Sequence, residues 1–335
     1  MKIFIRADGS EVIGTGHIMR TLVLAEKLKE SGREVIFLCR TLPGAPLSRI
    51  QKSGFKIETI ANVWPFGMEL VQVRSLIEKY CPKWIIVDHY EAKENYYHAL
   101  KEFGIKVMAI DDINETKFPV DILFNQNINA KDLKYKHGLR TKRVLGPKYA
   151  LVKDVYAQVR SAAKIRTELN SVLVFIGGAD PDNQTLKVLR GIVRSGRTFK
   201  VDIVLGSAFK HSKSIEAEIR KHGTSWKVHR DLPDLAQLML NADLAIGAGG
   251  SVSWEMCTLK LPMVLMPNAD NQLGIAKGLA KARAAINLGK FDSVSESDVA
   301  KVLRNLSDKK LKELSRNAGR ICDGLGAERE VYLLE

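Results

Sequence analysis

The sequence is poor in cysteine and has no paired cysteines. Four occur in 335 residues, and none of Cys39, Cys81, Cys257 and Cys322 belongs to a CxxC pair or has a histidine beside it. Disulfide frameworks and structural zinc sites rely on such pairs. The pattern therefore predicts isolated thiols in a reducing compartment and no metal site.

Long apolar runs are also missing. A stretch such as residues 85–87 falls far below the roughly 20 residues needed to span a bilayer. Arg6 and Asp8 interrupt any signal-peptide core near the start of the chain. We therefore expect a cytoplasmic protein without stable membrane insertion.

The fingerprints of common nucleotide cofactors do not occur. There is no GxxxxGK[ST] phosphate loop. No GxGxxG is followed by an acidic residue about 20 positions later in the manner of a dinucleotide site. We accordingly expect neither ATP nor NAD, and no cofactor.

The formal net charge of +14 has no concentrated source. Residues 1–150 account for +7 and the rest of the chain for the other +7. The densest stretch, residues 131–143, holds six basic residues and one acid. It is either a solvated surface loop or a patch that is weakly attracted to anionic lipid or polymer, and we favour the loop. Because only Tyr135 interrupts it, we predict no nucleic-acid partner.

Short β-branched runs alternate with longer segments of helical periodicity, the pattern of parallel sheets covered by helices. Strands are predicted in two series, at residues 2–8, 34–39, 84–88, 107–110 and 122–124, then at 171–176, 200–205, 226–229, 244–246 and 263–266. The sequence thus predicts an α/β fold with two Rossmann-like domains facing a cleft. We assign residues 1–155 and 156–335 to them, with the last helix a candidate to return to the first domain.

Three glycine-rich loops stand where a predicted strand leads into a helix. They are GTGH at 14–17, GGADP at 177–181 and GAGGS at 247–251. Glycine lets backbone approach a ligand closely, and the unpaired N–H groups of a helix start attract phosphate. One such loop is weak evidence, but three at equivalent points favour a nucleotide ligand.

His17 lies in the first turn of the first predicted helix. A helix N-terminus disfavours imidazolium, so we expect this histidine to be neutral at cytoplasmic pH. A neutral imidazole beside a bound sugar phosphate is suited to take a proton from water. The alternative is a histidine that only hydrogen-bonds a phosphate or a loop carbonyl, and the local sequence favours neither.

Polar side chains follow several other strands. Tyr90 either reaches substrate or stacks on the domain surface. Asp111 and Asp112 point to opposite faces of their strand, so capping is favoured over a paired catalytic site. Glu255 lies one helical turn past Ser251, where a carboxylate can accept both hydroxyls of a ribose. The group at 268–272 either contacts sugar or forms a turn.

Seven segments of the chain form a further pattern: IGTGHIMR at 13–20, VDHY at 87–90, NQN at 125–127, LGPKYAL at 145–151, GGADPDN at 177–183, GAGGSVSWE at 247–255 and DNQ at 270–272. Together they resemble a known family, the UDP-2,4-diacetamido-2,4,6-trideoxy-β-L-altropyranose hydrolases of pseudaminic acid biosynthesis, with relatives in spore-coat polysaccharide synthesis. The segments run in order over nearly the whole chain. The family is similar in fold to the GT-B glycosyltransferases, so the resemblance implies a GT-B arrangement.

The resemblance also implies roles for individual residues. His17 would be the general base. Gly249, Gly250 and Ser251 would hold the diphosphate. Glu255 would hold the ribose. The rest of the implied substrate-binding set is Gly14, Gly16, Arg20, Tyr90, Asn183, Asn271 and Gln272, of which Tyr90 and Asn271 would face the sugar.

The implied reaction is attack of water on the anomeric carbon with loss of UDP and inversion at that carbon. Helix N-termini would stabilise the charge that builds on the diphosphate. The nearest alternative is a GT-B glycosyltransferase that uses a UDP-amino sugar as donor. An alternative of another class is a non-catalytic nucleotide-sugar-binding partner. The sequence leaves the exact sugar and the oligomeric state open.

Overall fold

Strands and helices alternate along the whole chain in the computed structural model, which describes residues 1–61, 66–206, 208–222, 225–230 and 232–335. The chain divides into two units. Unit 1 comprises Met1–Val152 and Leu325–Glu335, and unit 2 comprises Lys153–Gly324. The boundary predicted from the sequence lies three residues later along the chain.

Unit 1 is built from nine strands and four helices among its described residues, before the C-terminal segment. They are β1 (Lys2–Ala7), α1 (Gly16–Glu30), β2 (Glu34–Arg40), α2 (Leu47–Lys52), β3 (Lys56–Ile60), α3 (Phe66–Tyr80), β4 (Trp84–Asp88), α4 (Glu94–Glu102), β5 (Lys106–Ile110), β6 (Lys117–Phe118), β7 (Ile122–Asn125), β8 (Lys136–His137) and β9 (Lys142–Leu145).

Seven of these strands form one parallel sheet in the order β3-β2-β1-β4-β5-β7-β9. The chain moves outward from β1 to β3 and then returns to add β4 on the other side. This reversal makes β1 and β4 neighbours and leaves a crevice outside their carboxyl ends, where ligands bind in such sheets.

Both faces of the unit 1 sheet are covered. On one face Ile3 and Ile5 of β1 pack in a core with Leu24 of α1. On the other, Phe4 of β1 packs with Tyr97 of α4. Alternate residues of a strand therefore lie on the side of the sheet covered by α1 or on the side covered by α4, and we call these the α1 face and the α4 face.

Unit 2 repeats the design. Its elements are α5 (Asp154–Gln158), β10 (Ser171–Phe175), α6 (Gln184–Arg194), β11 (Lys200–Leu205), α7 (Ser212–His222), β12 (Trp226–Arg230), α8 (Ala236–Asn241), β13 (Leu244–Gly247), α9 (Val252–Thr258), β14 (Met263–Leu265), α10 (Asp270–Lys281), β15 (Ala285–Asn287), α11 (Glu296–Asn305) and α12 (Asp308–Ile321). The parallel sheet has the order β12-β11-β10-β13-β14-β15, so β10 and β13 meet at its reversal point. The last helix, α13 (Gly326–Val331), belongs to unit 1 and packs against α1.

The sequence analysis missed the two-residue strands β6 and β8 and three longer ones, β3, β9 and β15, each of which lies at an edge of its sheet. Edge strands bury less side-chain surface, so their sequences lack the apolar run that marks a central strand. The basic stretch 131–143 is accordingly not a plain loop, because it contains β8 and the first two residues of β9.

Candidate active site

Polar side chains gather at the reversal point of the unit 1 sheet, on the α1 face. His17 is in the first turn of α1 and Asp88 is the last residue of β4. Asp88 shares its face with Trp84 and Ile86, both in the core beneath α1. The alternation of β4 therefore points this carboxylate at α1, where the side chains of His17 and Arg20 meet it.

The His17 imidazole contacts Asp88 through one nitrogen. Its Nδ1 lies 2.6 Å from Asp88 Oδ1. Since an ionised carboxylate can only accept, Nδ1 carries the proton and neutral His17 keeps its lone pair on Nε2. Within the described residues, Nε2 makes no hydrogen bond. His17 is thus oriented through Nδ1, which Arg20 Nη2 also approaches at 3.3 Å, and retains one basic nitrogen.

Arg20, one turn further along α1, keeps Asp88 ionised. Its Nε donates to Asp88 Oδ2 and its Nη2 to Asp88 Oδ1, both at 2.6 Å. Burial opposes ionisation of Asp88, but the charge of Arg20 and the contact with His17 outweigh it and hold the pKa of Asp88 well below its usual range. The site therefore offers His17 a permanent negative charge.

A second carboxylate closes the arrangement. Asp112 Oδ2 accepts from Arg20 Nη1 and from the Tyr90 hydroxyl, each at 2.7 Å, and Asp112 Oδ1 accepts from Asn127 Nδ2 at 2.8 Å. The Tyr90 ring stands edge-on to the His17 ring, with centroids 4.6 Å apart. We call His17, Arg20, Asp88, Tyr90, Asp112 and Asn127 the His17 cluster.

A different buried network lies on the α4 face, also at the carboxyl ends of the strands. Asp8 Oδ2 accepts from Arg40 Nε at 2.7 Å and lies 3.0 Å from His89 Nε2, and Asp8 Oδ1 lies 2.8 Å from Arg6 Nη1. Arg6 also donates to Glu69 of α3 at 2.7 Å. Arg40 Nη2 also donates to the partly exposed Glu91 at 2.7 Å. We call this the His89 cluster, and its members are Arg6, Asp8, Arg40, Glu69, His89 and Glu91.

The aspartate pair at 111–112 divides between the faces, as the sequence analysis expected. Asp111 accepts from the backbone N–H groups of Ile113 and Asn114 and from the Tyr135 hydroxyl, which is a capping role. The extension of that role to Asp112 was wrong, because Asp112 joins the His17 cluster. Sequence reasoning also missed Asp88 as a site residue, although the alternation of β4 carried the signal.

In unit 2 the third glycine loop lies at the reversal point, after β13. Gly249 has a φ of +82°, which an L side chain rarely adopts. Ser251 precedes α9 without capping it by its side chain. Gln272 of α10 belongs to the same region, since its side-chain Nε2 lies 3.7 Å from where a Cβ on Gly250 would stand. Asn271 neighbours it in the first turn of α10.

The second glycine loop differs, because the N-terminus of α6 is already satisfied. Asp180 accepts from the backbone N–H groups of Gln184 and Thr185 at 2.8 and 2.9 Å. Asn183 occupies the cap position in a left-handed conformation, and its Nδ2 donates to Ser214 instead. The carboxylate of Asp180 therefore stands where the sequence analysis expected a phosphate to be attracted.

Glu255 of α9 is partly buried and hydrogen-bonded to the Tyr156 hydroxyl. Burial raises the pKa of Glu255 to about 7, against the opposing effects of Tyr156 and Lys153. Tyr156 also accepts from the backbone N–H of Leu235 at 3.0 Å. The carboxyl is thus held in place by Tyr156 of α5, which the sequence analysis did not assign to the site.

Gly14 and Gly16 complete the predicted set, on the loop before His17. Gly14 has a φ of +80° and exchanges two backbone hydrogen bonds with Ser10. Gly16 is the first residue of α1. In the described part of the chain, no group of three or more His, Cys, Asp or Glu side chains is arranged to hold a metal ion. Among the same residues no helix is both long and apolar enough to span a bilayer.

Comparison with known proteins agrees with the unit 2 geometry. Residues 171–324 match the glycosyltransferase family 28 C-terminal domain. The matched residues begin with β10 and end with unit 2, so they contain both glycine loops and Glu255.

Three relatives extend the likeness to the rest of the chain. The spore coat polysaccharide biosynthesis protein SpsG of Bacillus subtilis is 28% identical, over 100% of this chain and 98% of its own. The UDP-2,4-diacetamido-2,4,6-trideoxy-beta-L-altropyranose hydrolase of Campylobacter jejuni is 27% identical, over 84% and 97%. The uncharacterized protein MJ1062 of Methanocaldococcus jannaschii is 27% identical over 79% of this chain, which spans 55% of its length. The resemblance stated from the sequence is confirmed.

The fold class is confirmed as well. MurG of Acinetobacter baumannii superposes with a TM-score of 0.72 at 15% identity, over 99% of both chains. Its likeness is that of a GT-B glycosyltransferase and concerns the fold alone. Together the comparisons support an enzyme, either a hydrolase or a glycosyltransferase.

Proposed function

We propose that the protein hydrolyses a UDP-linked diacetamido-trideoxy hexose, UDP-2,4-diacetamido-2,4,6-trideoxy-β-L-altropyranose, to free sugar and UDP. The reaction would serve pseudaminic acid or related surface polysaccharide biosynthesis in the cytoplasm. The activity in the name of the Campylobacter jejuni relative supports this choice of substrate.

The observation that carries the proposal is the state of His17. A general base needs a free lone pair and a partner that stabilises the positive charge formed as it takes a proton. Nε2 of His17 supplies the first, and Asp88, 2.6 Å from Nδ1, supplies the second. The same arrangement of a histidine base oriented by a buried carboxylate activates the serine hydroxyl in Ser-His-Asp triads.

In the proposed mechanism, His17 Nε2 removes a proton from water as the water oxygen bonds to the anomeric carbon. The bond from that carbon to the UDP oxygen breaks, and the electron pair leaves with UDP. A single displacement inverts the anomeric centre. UDP is a good leaving group, so the step requires no separate general acid.

We assign binding of the nucleotide to unit 2. Gly249, Gly250 and Ser251 bring backbone N–H groups to the diphosphate, and Glu255 accepts from the ribose hydroxyls. Asn271, Gln272 and Asn183 are assigned to the donor with less specific roles. Gly14, Gly16, Arg20 and Tyr90 accompany His17 in unit 1.

A glycosyltransferase is the second candidate, favoured by the match of residues 171–324 to a glycosyltransferase domain. It would use the same base on a sugar or lipid hydroxyl in place of water. A non-catalytic nucleotide-sugar-binding partner is disfavoured because the His17–Asp88 pair is intact.

The deciding experiment measures UDP release from the altrose donor and from UDP-N-acetylglucosamine, each incubated with the purified protein without acceptor. Release from the altrose donor alone, lost in His17→Ala, is the expected result. His98→Ala is the matched control, because His98 is an exposed histidine of α4 outside the His17 cluster.

Two other results would redirect the search. UDP binding without release from either donor would rule out hydrolysis and favour the transferase. Release that survives in His17→Ala would remove His17 as the base. Proton NMR of the freshly released sugar would test the predicted inversion.

A further inference from the structure

Asp112 accepts from more side chains than any other residue of the His17 cluster, although no motif singled it out. Three side chains from different elements donate to it: Arg20 of α1, Tyr90 after β4, and Asn127 after β7. Its carboxylate is only 6% exposed. Every oxygen of Asp112 is therefore committed to another side chain of the site.

The two partners on Asp112 Oδ2 are the groups that pack around His17. Tyr90 presents its ring to the imidazole at an interplanar angle of 82°. Arg20 holds Asp88, which orients the imidazole. Asp112 itself makes no hydrogen bond to His17 within the described residues, so it can position the imidazole only through these neighbours.

We propose that Asp112 is a positioning residue that holds Tyr90 and Arg20 in place around the imidazole of His17. A tyrosine ring that is only partly buried has rotational freedom, and a hydrogen bond from its hydroxyl to a buried carboxylate removes it. The importance of this positioning for catalysis rests on the proposed function. The placement of Tyr90 does not.

The opposing interpretation is that Asp112 merely balances the charge of Arg20. It predicts a loss of stability on substitution without a specific change at His17. The chain offers a matched control in Asp111, the adjacent carboxylate, whose partners are Tyr135 and two backbone N–H groups on the α4 face.

The first measurement is NMR of the histidine rings in protein labelled with ¹³C and ¹⁵N at its seven histidines. The His17 signals are identified by their loss in His17→Ala. At a centroid distance of 4.6 Å the Tyr90 ring current shifts the His17 ring protons. We expect Asp112→Ala to abolish this shift and Asp111→Ala to retain it.

An unchanged His17 spectrum in Asp112→Ala would overturn the proposal, and so would equal changes in both variants. Asp112→Asn replaces Asp112→Ala if the alanine variant fails to fold. It keeps one acceptor oxygen, and the same criteria apply with a smaller expected change.

The second measurement compares kcat and KM for UDP release. We expect Asp112→Ala to lower kcat by roughly 10- to 100-fold, because Tyr90 and Arg20 would be misplaced around the base. KM should be little changed. Tyr90→Phe, which removes only the donor hydroxyl, should have a smaller effect, and the double variant should be less impaired than the product of the two single effects. Independent, multiplicative effects or an unchanged kcat would overturn the proposal.

The NMR and kinetic measurements together separate this proposal from the proposed function. If the unsubstituted protein releases no UDP while Asp112→Ala still alters the His17 spectrum, hydrolysis fails and the positioning of Tyr90 stands. If UDP is released normally and the spectrum does not respond, hydrolysis stands and the positioning role fails.

Discussion

Two histidine clusters lie at the carboxyl ends of the strands of the unit 1 sheet, one on each face. His17 and His89 are each 8% exposed, and each contacts an aspartate. They differ in how their nitrogens are used. His89 Nδ1 accepts from the Glu91 backbone N–H at 3.1 Å, and its Nε2 faces Asp8 and Arg40. His17 uses Nδ1 alone.

The surrounding charge differs as well. Around His17 two carboxylates, Asp88 and Asp112, share one cationic partner, Arg20. Burial and the charges of Arg6 and Arg40 lower the pKa of His89, although Asp8 acts against them. The same residue type is therefore suited to proton transfer on one face and to holding the loops on the other.

The sharpest contrast is between His17→Ala and His89→Ala. Loss of a general base costs about 10²- to 10⁴-fold in rate, so we expect His17→Ala to abolish most UDP release while the protein still unfolds at a similar temperature. His89→Ala should instead lower the melting temperature. Kinetic and thermal assays on both variants check this, and reversed effects would contradict the assignment of roles.

Asp88→Asn should have the next largest effect. It frees His17 to place its proton on Nε2, which removes the basic lone pair, and we expect roughly a 10²-fold loss in kcat. The conservative substitution keeps the shape of the side chain, so the affinity for UDP should be unchanged. A rate within twofold of the unsubstituted protein would show that Asp88 does not orient the base.

Asp8→Asn tests the His89 cluster through stability. It leaves Arg6 and Arg40 with reduced compensation in a buried site, and breaking such a pair costs about 3–5 kcal/mol of unfolding free energy. Urea denaturation at neutral pH measures it. A loss below about 1 kcal/mol, the range of exposed ion pairs, would contradict the proposed role of the cluster.

The same variant predicts a pH dependence. Burial opposes ionisation of Asp8, but His89, Arg6 and Arg40 outweigh it and hold the pKa well below its usual range. A carboxyl with a lower pKa in the folded state stabilises above about pH 4 and loses this contribution as the pH falls. The difference between the two proteins should therefore shrink in acid.

Tyr96→Phe should have the smallest effect. The Tyr96 hydroxyl donates to Glu69 Oε1 at 2.9 Å at the border of the His89 cluster. Removing one such bond to a charged acceptor costs about 1.5–3 kcal/mol of unfolding free energy, which is less than the loss expected for Asp8→Asn, and kcat should be unchanged. A fall in kcat would mean that the two faces are coupled.

Unit 2 offers a parallel lesson in its two glycine loops. Both precede a helix, and the sequence analysis gave them the same role. Asp180 satisfies the start of α6, whereas the side chain of Ser251 leaves the start of α9 uncapped. The sequence could not separate them, because which side chain folds back on a helix start depends on the path of the loop.

Much of the site was nevertheless accessible from the sequence. The placement of His17 in the first turn of a helix followed from the glycine turn and the helical spacing after it. The division of Asp111 and Asp112 between the faces followed from strand alternation, which is a local property. Alternation alone did not reveal which strands are neighbours in the sheet.

The sequence by itself determined the alternation of strands and helices, the loops that need glycine, and which residues share a face of each strand, because these depend on backbone geometry over a few residues. The tertiary structure decided the strand order, and with it the meeting of β1 with β4. That order brought Asp88 within 2.6 Å of a histidine 71 residues earlier. A buried carboxylate can retain its charge only through such partners, and partners so distant in the chain are chosen by packing.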